Sequence, residues 1–178
     1  MKRWDCIARR FRKAKGRIAG AEVGVWKGTM SYNLLRMIPT LTLYMIDRWT
    51  SYSKEEQERD GISEQRLYED KVFKAAMKQA LKRAQPFGKR AVPMVMESRQ
   101  ACESFEDNSL DFVFVDGDHS YEGVKEDIDI WLPKIKTGGY ICGHDYDSRP
   151  GVRQAVDEAF GTAVKADANR TWFYKVVR

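Results

Sequence analysis

The sequence predicts a single α/β domain on a mostly parallel, doubly wound sheet, and three observations carry that reading. Short β-rich apolar runs alternate with segments of helical period five times along the chain. Two further short runs, joined by Asp167-Ala-Asn-Arg170, read as a closing antiparallel hairpin. The length of 178 residues, 43% of them hydrophobic, suits one core, which at this size buries roughly 70% of the unfolded surface.

Residues 1–17 are set apart by charge: eight are basic and one, Asp5, is acidic, giving +7 and leaving −2 on the other 161 residues. Trp4, Ile7, Ala8 and Phe11 recur at i, i+3, i+4 and i+7, so this arm is expected to form a basic amphipathic helix that docks its apolar face. The main domain is expected to span 18–178. Its first strand covers 17–24, and the next helix carries Met30, Leu34, Met37 and Ile38 on one stripe until Pro39 stops it.

The second strand spans 41–46 and leads into a polar stretch over 50–61 that reads as a solvated loop or lid. A long helix with the stripe Phe73, Met77, Ala80, Leu81 and Ala84 ends at Pro86 and Gly88, before a third strand over 92–97. The fourth strand, over 110–115, is apolar enough for burial on both faces. Val124, Ile128, Trp131 and Leu132 mark the next helix, closed by Pro133, and Thr137-Gly-Gly reads as a turn into a fifth strand ending at Cys142. Val152, Ala155, Val156, Ala159 and Phe160 mark the last helix, and the closing pair is expected around 163–165 and 172–177.

Composition excludes several function classes. No apolar run approaches the roughly 20 residues of a membrane helix, and the first residues lack a hydrophobic signal core. A cytoplasmic protein without a membrane partner is the expectation. Cys6, Cys102 and Cys142 are widely spaced and form no C-x-x-C pair, which points to neither a disulfide framework nor a zinc ribbon.

Open α/β sheets bind ligands beyond the carboxyl ends of their strands, so the residues just past each strand are the candidates for chemistry. Strand one runs into Glu22-Val-Gly-Val-Trp-Lys-Gly28, strand two into Asp47, and strand three into Glu97 and Ser98. Strand four opens into Asp116, Asp118 and His119, and strand five into His144, Asp145 and Asp147. Both histidines of the chain fall on this edge. Gly20, Gly24 and Gly28 with an acid at Glu22 depart from the G-x-G-x-x-G that holds a pyrophosphate. The pattern suits a ligand with an amino-acid end and no phosphate, such as S-adenosylmethionine, whose ammonium and sulfonium favour one carboxylate and whose ribose diol favours another.

Together with Glu22-x-Gly24-x-x-x-Gly28 and Asp47, the segments Val115-Asp-Gly-Asp-His-Ser-Tyr-Glu-Gly-Val124, Leu132-Pro-Lys-Ile-Lys-Thr-Gly-Gly139 and His144-Asp-Tyr146 resemble class I S-adenosylmethionine-dependent methyltransferases. Within these, the likeness is to the compact branch of macrocin-type sugar O-methyltransferases and cephalosporin-hydroxylase-like proteins. The resemblance implies a Rossmann-like, seven-stranded sheet over residues 17–177. It implies that Glu22, Gly24 and Gly28 line the methionine end, with Asp116 adjoining, that Asp47 holds the ribose, and that Ser98 lies near the adenine.

In the metal-dependent members carboxylates at the positions of Asp116 and Asp145 bind Mg²⁺. Here His144 replaces a second acid, although Mg²⁺ prefers oxygen. His119 matches a general base of some members, so the catalytic set implied is His119, Asp116 and Asp145, and the metal set Asp116, Asp145 and His144. The expected reaction is methyl transfer to a small-molecule or sugar hydroxyl, with a homo-oligomer as a further expectation. Two alternatives are a nucleic-acid methyltransferase using the basic arm and an inactive cofactor-binding scaffold.

Overall fold

The computed structural model describes residues 1–51 and 70–178. The 50–61 stretch expected to form a loop or lid therefore lies, from residue 52 onward, outside the described residues. The elements in chain order are α1 (Arg3–Phe11), β1 (Ile18–Val23), α2 (Thr29–Met37), β2 (Leu41–Asp47), α3 (Asp70–Ala84), β3 (Ala91–Val95) and α4 (Ser98–Cys102). They continue with β4 (Leu110–Val115), α5 (Tyr121–Trp131), β5 (Ile135–Gly143), α6 (Pro150–Phe160), β6 (Lys165–Asp167) and β7 (Thr171–Lys175).

One seven-stranded sheet runs in the order β3-β2-β1-β4-β5-β7-β6. β1 to β5 are mutually parallel, whereas β7 pairs antiparallel with β5 and with β6. Strand order reverses between β1 and β4, which makes that junction the place for a ligand. Register keeps the strand ends level: Asp47 lies opposite Val95, Val23 opposite Val115, and Val115 opposite Gly143.

Alternation along β4 divides the core in two. Phe112 and Phe114 join a cluster with Ile7, Leu34, Leu35, Met45 and Ala80 on one face. Val113 and Val115 join Ile128, Trp131, Val156 and Trp172 on the other. A strand apolar on both faces belongs inside a helix-covered parallel sheet. β3, at one edge, accommodates Pro93 because one side of an edge strand needs no ladder donor.

Several boundaries differ from the sequence expectations for identifiable reasons. β5 starts at Ile135, because Thr137-Gly-Gly lies inside the strand: Gly138 takes φ +84° where the register shifts between Leu110 and Phe112. β3 ends at Val95, and Glu97 serves as the residue before α4. The first strand of the hairpin begins at Lys165, since 161–163 form a 3₁₀ turn. On α3 the buried row is Ala76, Ala80 and Ala84, while Leu81 is 37% exposed. Small residues prevail there because the turn before α2 comes very near: a Cβ on Gly28 would stand 2.8 Å from the Ala80 Cα.

The basic arm is part of the core. Cys6, Ile7 and Ala8 of α1 are fully buried, and Phe11 packs on the Phe112 ring at 5.2 Å and edge-on against Tyr140. The Arg10 guanidinium lies 3.6 Å over the Phe173 ring. Arg9 and Arg10 also pair with Asp167, and the Cys6 thiol reaches the Ala168 carbonyl. The helix is thus stapled to the hairpin between β6 and β7. Among the described residues, no helix is long and apolar enough to cross a membrane.

Candidate functional site

The backbone ladder extends one residue past the strands and fixes the site from below. Gly24 N–H donates to the Ile46 carbonyl at 2.9 Å, Asp116 N–H to Val23 at 2.8 Å, and His144 N–H to Val115 at 3.2 Å. Gly24, at φ +86°, is required as glycine: a Cβ there would sit 2.2 Å from the Asp116 carbonyl oxygen. The turn after β1 consequently crosses directly over the turn after β4.

Glu22 lies at this crossing with 1% exposure. Its Oε2 accepts a 2.6 Å hydrogen bond from the Ser31 hydroxyl of α2. Burial pushes its carboxyl up to about 8 against the opposing Ser31 bond and Arg3 charge. A buried acid with so little compensation suits a cationic ligand.

Asp47, at the end of β2, accepts Trp26 N–H at 2.7 Å and Trp49 N–H at 2.8 Å on its two oxygens. Burial raises its pKa, and these backbone donors work against that rise. The Trp49 indole N–H in turn donates to the Trp26 carbonyl at 2.7 Å. Both tryptophans adopt positive φ in the turns that supply these two donors.

Beyond β4 and β5, the second group converges. The Asp118 carboxylate accepts Ser120 N–H at 2.8 Å, and the Ser120 hydroxyl accepts Gly123 N–H at 3.1 Å, which starts α5 and orients His119 between them. His119 Nε2 lies 3.1 Å from Asp145 Oδ2 and 3.8 Å from Asp116 Oδ1. His144 Nδ1 lies 3.3 Å from Asp145 Oδ1 and 3.7 Å from Asp116 Oδ1. Asp145 is held at φ +61°, in the left-handed region. Burial works to raise its pKa, but the Ser148 hydroxyl and both histidines outweigh it and hold the carboxyl below its ordinary value.

Ligand atoms of Asp116, His144 and Asp145 all lie within 4.8 Å of one another, close enough to hold a metal ion. Two carboxylates and one imidazole fit a divalent cation, and the nitrogen favours Mn²⁺ or Co²⁺ relative to Mg²⁺. Arg3 of α1 also ion-pairs with Asp116 at 2.5 Å, and Arg170 stands 3.9 Å from Asp145.

The sequence-predicted residues Glu22, Gly24, Asp47, Asp116, His119, His144 and Asp145 therefore share one edge. The Ser98 side chain turns inward. Its hydroxyl donates to Asp127 and accepts the Trp131 indole N–H at 2.8 Å. Asp127 is buried on α5 and needs that donor. Gly28 serves the turn into α2 and its packing on α3. Ser31, Arg3, Ser148 and Arg170 are additions to the site that the strand-end pattern does not single out.

The methyltransferase-domain family profile matches residues 21–146. Among curated proteins, the uncharacterized protein y4gI of Sinorhizobium fredii is 38% identical over 50 residues, 28% of this chain and 6% of its own length. The chain spans no more than 24% of the length of the curated relatives it matches. Among solved structures, the O-methyltransferase NovP superposes with TM-score 0.61 at 20% identity, covering 98% of this chain and 76% of its own. A caffeoyl-CoA O-methyltransferase-like protein of Staphylococcus aureus gives TM-score 0.67 at 13% identity, covering 99% and 85%. At such identities the two structures share the fold.

Proposed function

The chain belongs to the class I S-adenosylmethionine-dependent methyltransferases, and from that premise we propose that it methylates a hydroxyl of a small molecule or sugar, with His119 as base. The observation that carries this reading is the position of His119 between Asp145 and Asp116, on the edge that also holds Glu22 and Asp47. The O-methyltransferase neighbours support an oxygen acceptor. The cofactor fits the residues present: Glu22 offers a buried anion to the ammonium and sulfonium, Asp47 offers acceptors to the ribose diol, and the Gly24 crossing admits close backbone approach.

When bound, the cofactor supplies an electrophilic methyl group, and a divalent cation held by Asp116, His144 and Asp145 would lower the pKa of an acceptor hydroxyl. The chain's own residues do the rest. A neutral hydroxyl is a poor nucleophile, so His119 withdraws its proton as attack proceeds. With its Nε2–H directed at Asp145, the ring presents Nδ1 as the basic nitrogen. The imidazolium that results is stabilised by Asp145 at 3.1 Å and Asp116 at 3.8 Å. Glu22 and Asp47, anchored to different strands, hold the two ends of the donor so that the acceptor meets it in line.

The test is formation of S-adenosylhomocysteine by the full chain over a panel of sugars, aliphatic alcohols and catechols, with and without Mg²⁺ or Mn²⁺, beside amine and RNA acceptors. Turnover confined to hydroxyl compounds is expected. Turnover confined to amines or RNA would overturn the assignment.

Glu22 gives a separate prediction. Its pKa of about 8 lies above the ordinary 4.5, so in the ligand-free chain it favours stability below pH 4.5, and that contribution is lost as pH rises through 8. A cation bound beside it demands the ionised form. Binding of S-adenosylhomocysteine at pH 6.5 should therefore release about one proton from Glu22, and affinity should rise with pH up to about 8. Calorimetry in buffers of different ionisation enthalpy measures the release, and Glu22→Gln should abolish it. A proton count near zero in the unaltered protein would contradict this placement of the ammonium.

A further inference from the structure

We infer that Arg3 of α1 is the residue that binds the α-carboxylate of the cofactor's methionine end, an inference that rests on the cofactor reading above. The amino-acid end of S-adenosylmethionine is a zwitterion, so a complete site must offer it a cation as well as an anion. Glu22, with Asp116 beside it, supplies the anionic side. Arg3 ion-pairs with Asp116, and its charge also acts on Glu22. It is therefore a cation already placed at the end of the edge where both acids stand. Arg48 sits with Glu97 at the β2–β3 end, and Arg170 approaches Asp145 beyond β5.

The position of Arg3 is fixed by the helix that carries it. Lys2 N–H donates to the Asp5 carboxylate at 2.8 Å and Asp5 N–H returns to the Lys2 carbonyl at 3.0 Å, closing the first turn. Cys6, Ile7 and Ala8 anchor the next turn in the core, and Arg10 is stacked on Phe173. With Phe11 against Phe112 and Tyr140 in mid-sheet, the opposite end of the helix reaches the strand ends. The Arg3 side chain keeps 29% of its surface exposed, so its planar fork can pass from Asp116 to an incoming carboxylate and grip it bidentately. α1 precedes the segment matched by the family profile, residues 21–146, so the methyltransferase motifs do not specify this residue.

Three ligands separate the contributions: S-adenosylhomocysteine, its decarboxylated analogue, which keeps the ammonium, and 5′-methylthioadenosine, which lacks the whole amino-acid end. In the unaltered full chain, titration calorimetry should show S-adenosylhomocysteine binding about 10- to 100-fold tighter than the decarboxylated analogue, the range for a charge-assisted pair. In Arg3→Met that ratio should collapse towards 1, with methylthioadenosine affinity unchanged, and Arg3→Lys should retain an intermediate ratio. A freed Asp116 would itself repel the carboxylate, so the ratio is also measured in Asp116→Asn and in Asp116→Asn/Arg3→Met, where the collapse should appear only when Arg3 is removed. A preserved ratio in Arg3→Met would overturn the assignment while leaving the cofactor reading intact. Failure of the unaltered chain to bind any of the three would overturn the cofactor reading itself, and this inference with it.

Discussion

Replacing His119 with alanine is expected to lower kcat on a hydroxyl acceptor by about 10²- to 10⁴-fold, the contribution of a positioned general base, which corresponds to roughly 2.7–5.4 kcal/mol of transition-state stabilisation. The affinity for S-adenosylhomocysteine should stay within about 2-fold of the unaltered protein, because the proposed donor contacts, Glu22 and Asp47, stand on β1 and β2 and His119 follows β4. The pH profile separates a lost base from a damaged fold. Without His119, attack depends on the ionised fraction of the acceptor itself, so the rate should climb by about tenfold per pH unit above neutrality. A variant with unchanged kcat and an unchanged profile would remove His119 from the reaction.

The second large effect lies in the backbone. Gly24→Ala places a Cβ 2.2 Å from the Asp116 carbonyl oxygen and 2.5 Å from the Gly117 nitrogen, atoms that belong to a neighbouring turn and have no rotamer to change. The substitution also forces alanine to φ +86°. The left-handed conformation costs about 1–2 kcal/mol and the overpacking about 1–3 kcal/mol more. The expected result is a fall in Tm of roughly 5–15 °C for a domain of this size, with loss of cofactor binding because the two turns are pushed apart. Gly138→Ala is the control. Gly138 has φ +84°, and among the described residues no atom beyond its own chain neighbours lies within 4 Å of the point its Cβ would occupy, so it carries the backbone cost alone. Equal Tm losses at the two positions would show that the close crossing does not matter.

The parallel part of the sheet is legible in the sequence because its strands are short apolar runs and its longer helices carry apolar stripes, local patterns that survive in one dimension. β4 shows this best: Phe112 and Phe114 face one core cluster, Val113 and Val115 the other. The start of β5 is not legible. Thr137-Gly-Gly has the composition of a turn, and only the neighbouring strand makes it a bulge. The periodicity of α3 misleads at Leu81, since the nearness of Gly28 favours the alanine row over the larger side chain.

The same division holds at the site. Glu22, Asp47, Asp116, His119, His144 and Asp145 can be found from sequence because the ends of parallel strands must lie level. The groups that set their properties come from elsewhere: Ser31 from α2, Arg3 from α1, and the amides of Trp26 and Trp49 from turns. No spacing in the sequence announces such partners, because they meet only in the folded chain. Ser98 shows the converse: its place after β3 is legible, but the demand of Asp127 for a donor is not.

The stapling of α1 to the hairpin bears on the order in which the protein is assembled. The residues that hold Arg9, Arg10 and Cys6 in place are Asp167, Ala168 and Phe173, and Cys6 stands 162 positions from Ala168. The part of the helix that these residues cover must therefore stay uncovered until the hairpin has left the ribosome. Long-range closure of this kind slows folding, and the exposed interval is one in which a nascent chain is open to chaperones and to aggregation.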